Sequence, residues 1–133
     1  MSNPHTDTSH KHLIIIAHGS RRETSNEYFM ELSHQLGSAL QGQYQEIHGC
    51  FLEMAQPKLM ERVEQAVSQG AQQIDVFPYF LGPGNHVLAD IPELLEQAQA
   101  TYPDCRFVQL TYFGASPAMT ELIAQSISAQ TQA

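Results

Sequence analysis

Leu13-Ile14-Ile15-Ile16-Ala17 is an unbroken, mostly β-branched apolar run. A strand needs such a run when both of its faces are covered, as they are in the middle of a parallel sheet. Downstream, short apolar runs alternate with stripes at three- and four-residue steps. Tyr28/Phe29, Leu32, Leu36 and Ala39/Leu40 line one face of a helix that Gly42 ends. Tyr44 to Leu52 reads as a second strand, and Gln45, Glu46 and His48 make it polar enough for a sheet edge. Leu59, Met60, Val63 and Ala66/Val67 mark a second helix, with Pro57 in its first turn and Gly70 at its end. Ile74, Val76, Phe77 and Phe80 mark a third strand, with Pro78 near its close. Val87/Leu88, Ile91, Leu94/Leu95 and Ala98 give a third helix, and Phe107 to Leu110 a fourth strand. Ser116-Pro117 supplies the N-cap and first-turn proline of a last helix carrying Met119, Leu122, Ile123 and Ile127. This alternation predicts a three-layer, flavodoxin-like α/β domain: a four-stranded parallel sheet flanked by helices on both faces.

The 133 residues have room for one such domain, over residues 12–128, between a polar, His-containing leader (1–11) and a polar tail (129–133). Apolar residues make up 42% and charged residues 15%, enough to bury a core. The longest apolar run is far short of a membrane span, and the leader has no apolar signal-peptide segment, so a soluble cytoplasmic protein is expected. Six cations stand against 14 carboxylates, a net charge of −8 that argues against nucleic-acid binding. Cys50 and Cys105 form no C-x-x-C pair and read as buried small hydrophobes in a reducing compartment. His5, His10 and His12 are grouped as an adventitious metal-binding tail, and His34 and His48, away from the strand ends, are assigned no function.

Ligands of open parallel sheets bind beyond the carboxyl ends of the strands. The first strand ends in Ala17-His18-Gly19-Ser20-Arg21-Arg22, the second in Phe51-Leu52-Glu53, and the third runs through Gly82-Pro83-Gly84-Asn85 to His86. Neutral imidazoles are ready ligands for Co, Ni, Fe or Zn, so His18 and His86 are candidate metal-handling groups. Glu53 is either their acidic companion or a carboxylate at the positive end of the next helix. Arg21 and Arg22 are two of only six cations and would meet an anionic ligand. Asp90, one helical turn after His86, is placed to orient that imidazole or to sit at the helix start. The glycines around Pro83 form a tight turn or leave room for a flat substrate. Phosphate-binding loops, dinucleotide fingerprints, nucleophile elbows and H-E-x-x-H pairs have no match.

"AHGSR" at 17–21, Asn26, "FLEMAQP" at 51–57, "PYFLGPGNHVLADIP" at 78–92 and "FGASP" at 113–117, in this order and spacing, make the chain resemble the short, single-domain form of the sirohydrochlorin chelatases, the class II cobaltochelatases and ferrochelatases. The resemblance covers residues 12 to about 127. It implies a chelatase-like fold with the third strand beside the first, and insertion of a divalent metal into sirohydrochlorin without ATP, in cobalamin or siroheme biosynthesis. Co²⁺ is favoured, with Fe²⁺ and Ni²⁺ as further substrates, and no organic cofactor is implied. By the same resemblance His18 and His86 handle the metal, with Glu53 as proton acceptor or third ligand. Ser20, Arg21, Arg22, Gly84 and Asn85 are placed with the polycarboxylate macrocycle, and Asp90 behind His86. Longer members contain two such domains facing one cleft, so a homodimer is expected. A non-catalytic metal or tetrapyrrole carrier is the alternative. A hydrolase or phosphotransferase on the same scaffold lacks a nucleophile.

Overall fold

The computed structural model of the chain describes residues 9–132, and of residues 85–88 the backbone alone. The aliphatic run lies in β1 (Lys11–Ala17), followed by α1 (Glu23–Ala39), β2 (Glu46–Phe51), α2 (Leu59–Ser68), β3 (Gln73–Pro78), α3 (Asn85–Thr101), β4 (Arg106–Gln109), a 3-10 turn (Phe113–Ala115) and α4 (Met119–Thr131). The four strands form one parallel sheet in the order β2-β1-β3-β4. The polar second strand is therefore an edge, and β1 sits between β2 and β3. Crossovers leave β1 and β2 for opposite faces, and this puts the switch point at the carboxyl end of β1.

On one face Ile14, Ile16, Ile74 and Val76 are fully buried against Val63 and Ala66 of α2 and Ile91 and Ala98 of α3. Each such aliphatic contributes about 1.5–3 kcal/mol relative to exposure. On the other face Leu13, Ile15 and Phe51 pack under Phe29 of α1. That cover is incomplete, since Phe77, Val108 and Leu110 on the same face of β3 and β4 are only half-buried. Among the described residues no helix is long and apolar enough to cross a membrane.

Several sequence expectations move. Pro57 lies ahead of α2, after a cis peptide bond, and Lys58 starts the helix with its N–H donated to Glu61 Oε2 at 3.0 Å. Ser116-Pro117 precedes α4 instead of opening it: Met119 N–H bonds Ser116 O at 3.0 Å, forming a turn before the helix. No side chain of α4 is buried, and Leu122, Ile123 and Ile127 stand half-exposed. Periodicity identifies an apolar face without saying whether the same chain covers it. The helix also continues to Thr131, through most of the expected tail.

His12 corrects the grouping of the leader histidines, because it belongs to β1 and is completely buried. Its Nδ1 lies 3.0 Å from Nε2 of His48, which is buried in β2, and the two rings are stacked at 17°. His12 Nε2 has no hydrogen-bond partner among the described residues. One proton lies between the two facing nitrogens, and adding another there would put a charge into the core. Burial, then His12 and Arg62, push the His48 pKa down to about 4, and burial also lowers that of His12. Lys11 joins β1 as well, its ammonium 3.7 Å from the buried Asp75 carboxylate, which accepts the Tyr44 hydroxyl at 2.6 Å. Cys50 and Cys105 are free and buried, and burial raises the Cys50 thiol to about 12.

A group whose folded pKa lies below its unfolded value stabilises the fold above the unfolded pKa and loses that contribution as pH falls. The His48 contribution should be level above pH 7 and fall by about 2 kcal/mol between pH 7 and pH 5. Urea unfolding across this range checks it: the double variant His12→Leu/His48→Leu should flatten that part of the profile, whereas an unchanged slope would remove the pair as its source.

Candidate functional site

The β1–β2 ladder does not stop where the strands do. Leu52 N–H donates to Ala17 O at 2.8 Å and Glu53 N–H to His18 O at 2.9 Å, so the two candidate side chains leave adjacent, hydrogen-bonded backbone positions. Gly19 lies directly against this zipper with φ +96, and a Cβ there would sit 1.9 Å from Glu53 O. Only glycine accepts both the conformation and the approach. The chain then reverses around Met54 (φ 65), where Ala55 N–H bonds Glu53 O at 2.8 Å in a tight γ-turn. Left-handed backbone at a methionine is strained, and such strain concentrates at functional sites.

His18 Nε2 and Glu53 Oε2 are 3.5 Å apart, with each side chain about 40% exposed. His18 Nδ1 is 3.1 Å from Gly19 O. A carbonyl only accepts, so this contact is a hydrogen bond when Nδ1 carries the proton; in the neutral ring Nε2 is then the basic atom, and the carboxylate beside it favours its taking up a proton. This tautomer, oriented by a backbone carbonyl, is the form that ligates a metal. The pair can offer one nitrogen and one oxygen donor to a hydrated cation, or pass a proton from one to the other. Among the described residues no set of three or more His, Cys, Asp or Glu side chains gathers into a closed metal cage.

Asn26 clasps the loop after His18: its Oδ1 accepts Ser20 N–H at 3.0 Å and its Nδ2 donates to Ser20 O at 2.8 Å. Ser20 Oγ in turn accepts Arg22 N–H at 3.0 Å, so part of its hydrogen-bonding capacity serves the loop itself. Arg21 and Arg22 are both exposed. Arg21 lines a cleft of about 520 Å³ with Ser20, Asn26, Phe51 and Met54, but Glu23, Glu27 and Glu31 line it too. Its local charge is mixed, not the positive patch that a simple reading of two adjacent arginines suggests.

Gly84 is exposed immediately ahead of α3, whose backbone begins at Asn85. The side chains of Asn85 and His86 lie outside the described residues, so the structure brings together His18 and Glu53 from the sequence-derived set and leaves His86 defined by its place in the first turn of α3. Asp90 follows one turn later, half-buried. The sequence reading assigned no role to Asn26, Met54 or Tyr79. Asn26 stood in a motif, but its clasp depends on a loop shape that the motif does not specify.

The parallel sheet with order β2-β1-β3-β4, and a histidine and a carboxylate at its switch point, define a chelatase-like α/β domain. The CbiX family model matches residues 12–130, and the chain belongs to that family. A sirohydrochlorin cobaltochelatase of Priestia megaterium is 29% identical over 100 residues, which are 74% of this chain and 31% of that protein. The chloroplastic sirohydrochlorin ferrochelatase of Arabidopsis thaliana is 35% identical over 89 residues, 65% of this chain and 37% of that protein. This chain therefore spans about a third of each of these two relatives. Among solved structures, a CbiX protein of Marinobacter aquaeolei VT8 superposes with a TM-score of 0.76 at 24% identity, covering 92% of this chain and 98% of that one. The sirohydrochlorin chelatase SirB of Bacillus subtilis subspecies spizizenii, in complex with cobalt, superposes with a TM-score of 0.80 at 23% identity, covering 90% of this chain and 50% of that one. At these identities the structural likeness establishes the fold.

Replacing Gly19 with alanine tests the zipper. The substitution should destabilise the chain by about 2–4 kcal/mol through strain and the clash with Glu53 O. A Gly19→Ala variant with an unchanged urea midpoint would mean that the loop rearranges freely and does not hold His18 and Glu53 in register.

Proposed function

We propose that this chain inserts a divalent metal into sirohydrochlorin without ATP, with Co²⁺ favoured over Fe²⁺ and with Ni²⁺ also accepted. The observation that carries this reading is the His18 Nε2 and Glu53 Oε2 pair, 3.5 Å apart and open to solvent at the switch point of the sheet. The relatives support the reaction class, and they include both cobalt and iron enzymes. The reaction replaces two pyrrole N–H protons of the macrocycle by M²⁺. A weak, partly hydrated metal site favours transfer, whereas four closed ligands would retain the ion. In this reading His18 holds the entering metal through Nε2 while its Nδ1–H stays on Gly19 O. Glu53 takes up pyrrole protons and releases them to water. His86, at the start of α3, is the second metal-handling imidazole, with Asp90 behind it. Ser20, Arg21, Arg22, Gly84 and Asn85 border the space for the macrocycle, and the exposed arginines receive its carboxylates. The pathway served is cobalamin or siroheme synthesis in the cytoplasm.

Anaerobic insertion of Co²⁺, Fe²⁺ and Ni²⁺ into sirohydrochlorin, followed by absorbance, tests the proposal. The intact chain should exceed the uncatalysed rate, fastest with Co²⁺. His18→Ala should lower kcat/KM by about 10²–10³-fold, and Glu53→Gln by about 10²-fold, while both keep the wild-type urea midpoint within about 0.5 kcal/mol. Macrocycle binding without any rate increase would assign the chain to the carrier class instead.

The active form in this reading is a homodimer. The exposed apolar face of α4, with Leu122, Ile123 and Ile127, and the half-covered β3–β4 face, with Phe77, Val108 and Leu110, are two open apolar surfaces of one chain. A second copy covers both reciprocally, the self-complementary pattern of a two-fold interface. Light scattering should give twice the chain mass of 14.8 kDa, and Ile123→Asp/Ile127→Asp should give the monomer. A wild-type monomer at micromolar concentration would contradict this arrangement.

A further inference from the structure

Outside α4, the large apolar side chains that stand exposed among the described residues are Tyr28, Met54, Tyr79 and Leu81, all around the carboxyl edge of the sheet. Tyr79 differs from the others in being tightly held. Its N–H donates to Ile16 O at 2.8 Å, two residues before His18 on the neighbouring strand. Its ring stacks on Phe29 of α1 (centroids 5.6 Å apart, 29°) and on Phe113 of the 3-10 turn (5.9 Å, 23°). Both outer rings are braced in turn. Phe29 rests on Phe51 at 5.4 Å, and Phe113 meets Phe77 edge-on at 6.4 Å. Gly114 N–H bonds Phe80 O at 2.9 Å, and Gly114 lies so close to Leu81 O that a Cβ would fall 1.7 Å from it.

Two aromatic neighbours pack on the ring, and 38% of Tyr79 remains open. No hydrogen bond from that hydroxyl is made among the described residues. What Tyr79 offers a ligand is an O–H donor on a ring held by its neighbours, and an electropositive ring edge, both of which attract anions. A ring already immobilised by its neighbours loses little further freedom on binding.

Building on the reading of the site as a sirohydrochlorin chelatase, we propose that Tyr79 is a macrocycle-positioning residue whose hydroxyl donates to a carboxylate on the rim of the tetrapyrrole, setting its angle over His18 and Glu53. The stacked rings restrain this donor, and its backbone, bonded to Ile16 O, stands at the carboxyl end of β1 two residues from His18. An arginine in the mixed-charge cleft supplies attraction, whereas a clamped phenol supplies direction.

Two variants separate the hydroxyl from the ring. Tyr79→Phe keeps the stack and removes the donor, so KM for sirohydrochlorin should rise about ten- to a hundredfold, the loss expected for one hydrogen bond to a charged group. Its kcat should also fall, by about two- to fivefold, because the macrocycle's angle is no longer set, while its thermal midpoint and Co²⁺ affinity should match wild type. Tyr79→Leu opens the stack and should raise KM further while lowering the midpoint. The proposal is overturned if Tyr79→Phe has the wild-type KM, whatever Tyr79→Leu does, because the ring would then serve only as packing. If the wild-type chain does not bind sirohydrochlorin at all, the functional reading itself fails, an outcome distinct from a silent Tyr79→Phe.

Discussion

The backbone zipper between the ends of β1 and β2 is the contact on which the site depends. Two hydrogen bonds beyond the regular strands, Leu52 to Ala17 and Glu53 to His18, carry sheet geometry into what would otherwise be two loops. Gly19 lets the loops touch, and the γ-turn at Met54 ends the contact by sending the chain away at once. A histidine and a carboxylate on flexible loops would sample many separations. Here the ladder spacing itself brings their tips to 3.5 Å.

The same backbone also sets the chemistry of the histidine. Gly19 O lies 3.1 Å from Nδ1 and favours the neutral form protonated there, with Nε2 as the basic atom beside Glu53. With both side chains partly exposed, the proposed metal role is one in which the cation keeps part of its hydration shell, as transfer requires. By contrast, the buried His12–His48 pair at the other end of the same two strands is closed to any ligand of ordinary size and acts on stability alone. Two histidine pairings that look alike in composition thus divide by depth: one imidazole at the strand end faces solvent, and two within the strands face the core.

Much of this was legible in the residues. The aliphatic run of β1, the polar edge character of β2 and the alternation of periods all point to the observed sheet, and strand-end logic selects His18 and Glu53. Other features depend on information that no local pattern carries. His12 looked like part of a polar leader because its neighbours on one side are polar, yet β1 begins one residue before it. The α4 stripe is apolar at helical spacing, but among the described residues nothing buries it. Nothing about methionine announces a left-handed residue, so Met54 is visible only in the folded backbone. Asn26 and Tyr79 likewise acquire their roles from contacts with distant residues, Asn26 with Ser20 and Tyr79 with Phe29 and Phe113.

The account turns on a metal-ready imidazole at the end of β1, and the protonation state of His18 tests that most directly. A long-range nitrogen–proton correlation spectrum of the ¹⁵N-labelled chain at pH 8, recorded before and during titration with Zn²⁺ as a diamagnetic stand-in, reads both ring nitrogens. The account predicts that His18 is protonated at Nδ1 and that its Nε2 signal moves with the metal. A His18 protonated at Nε2, or one whose signals ignore the metal while other histidines respond, would contradict it.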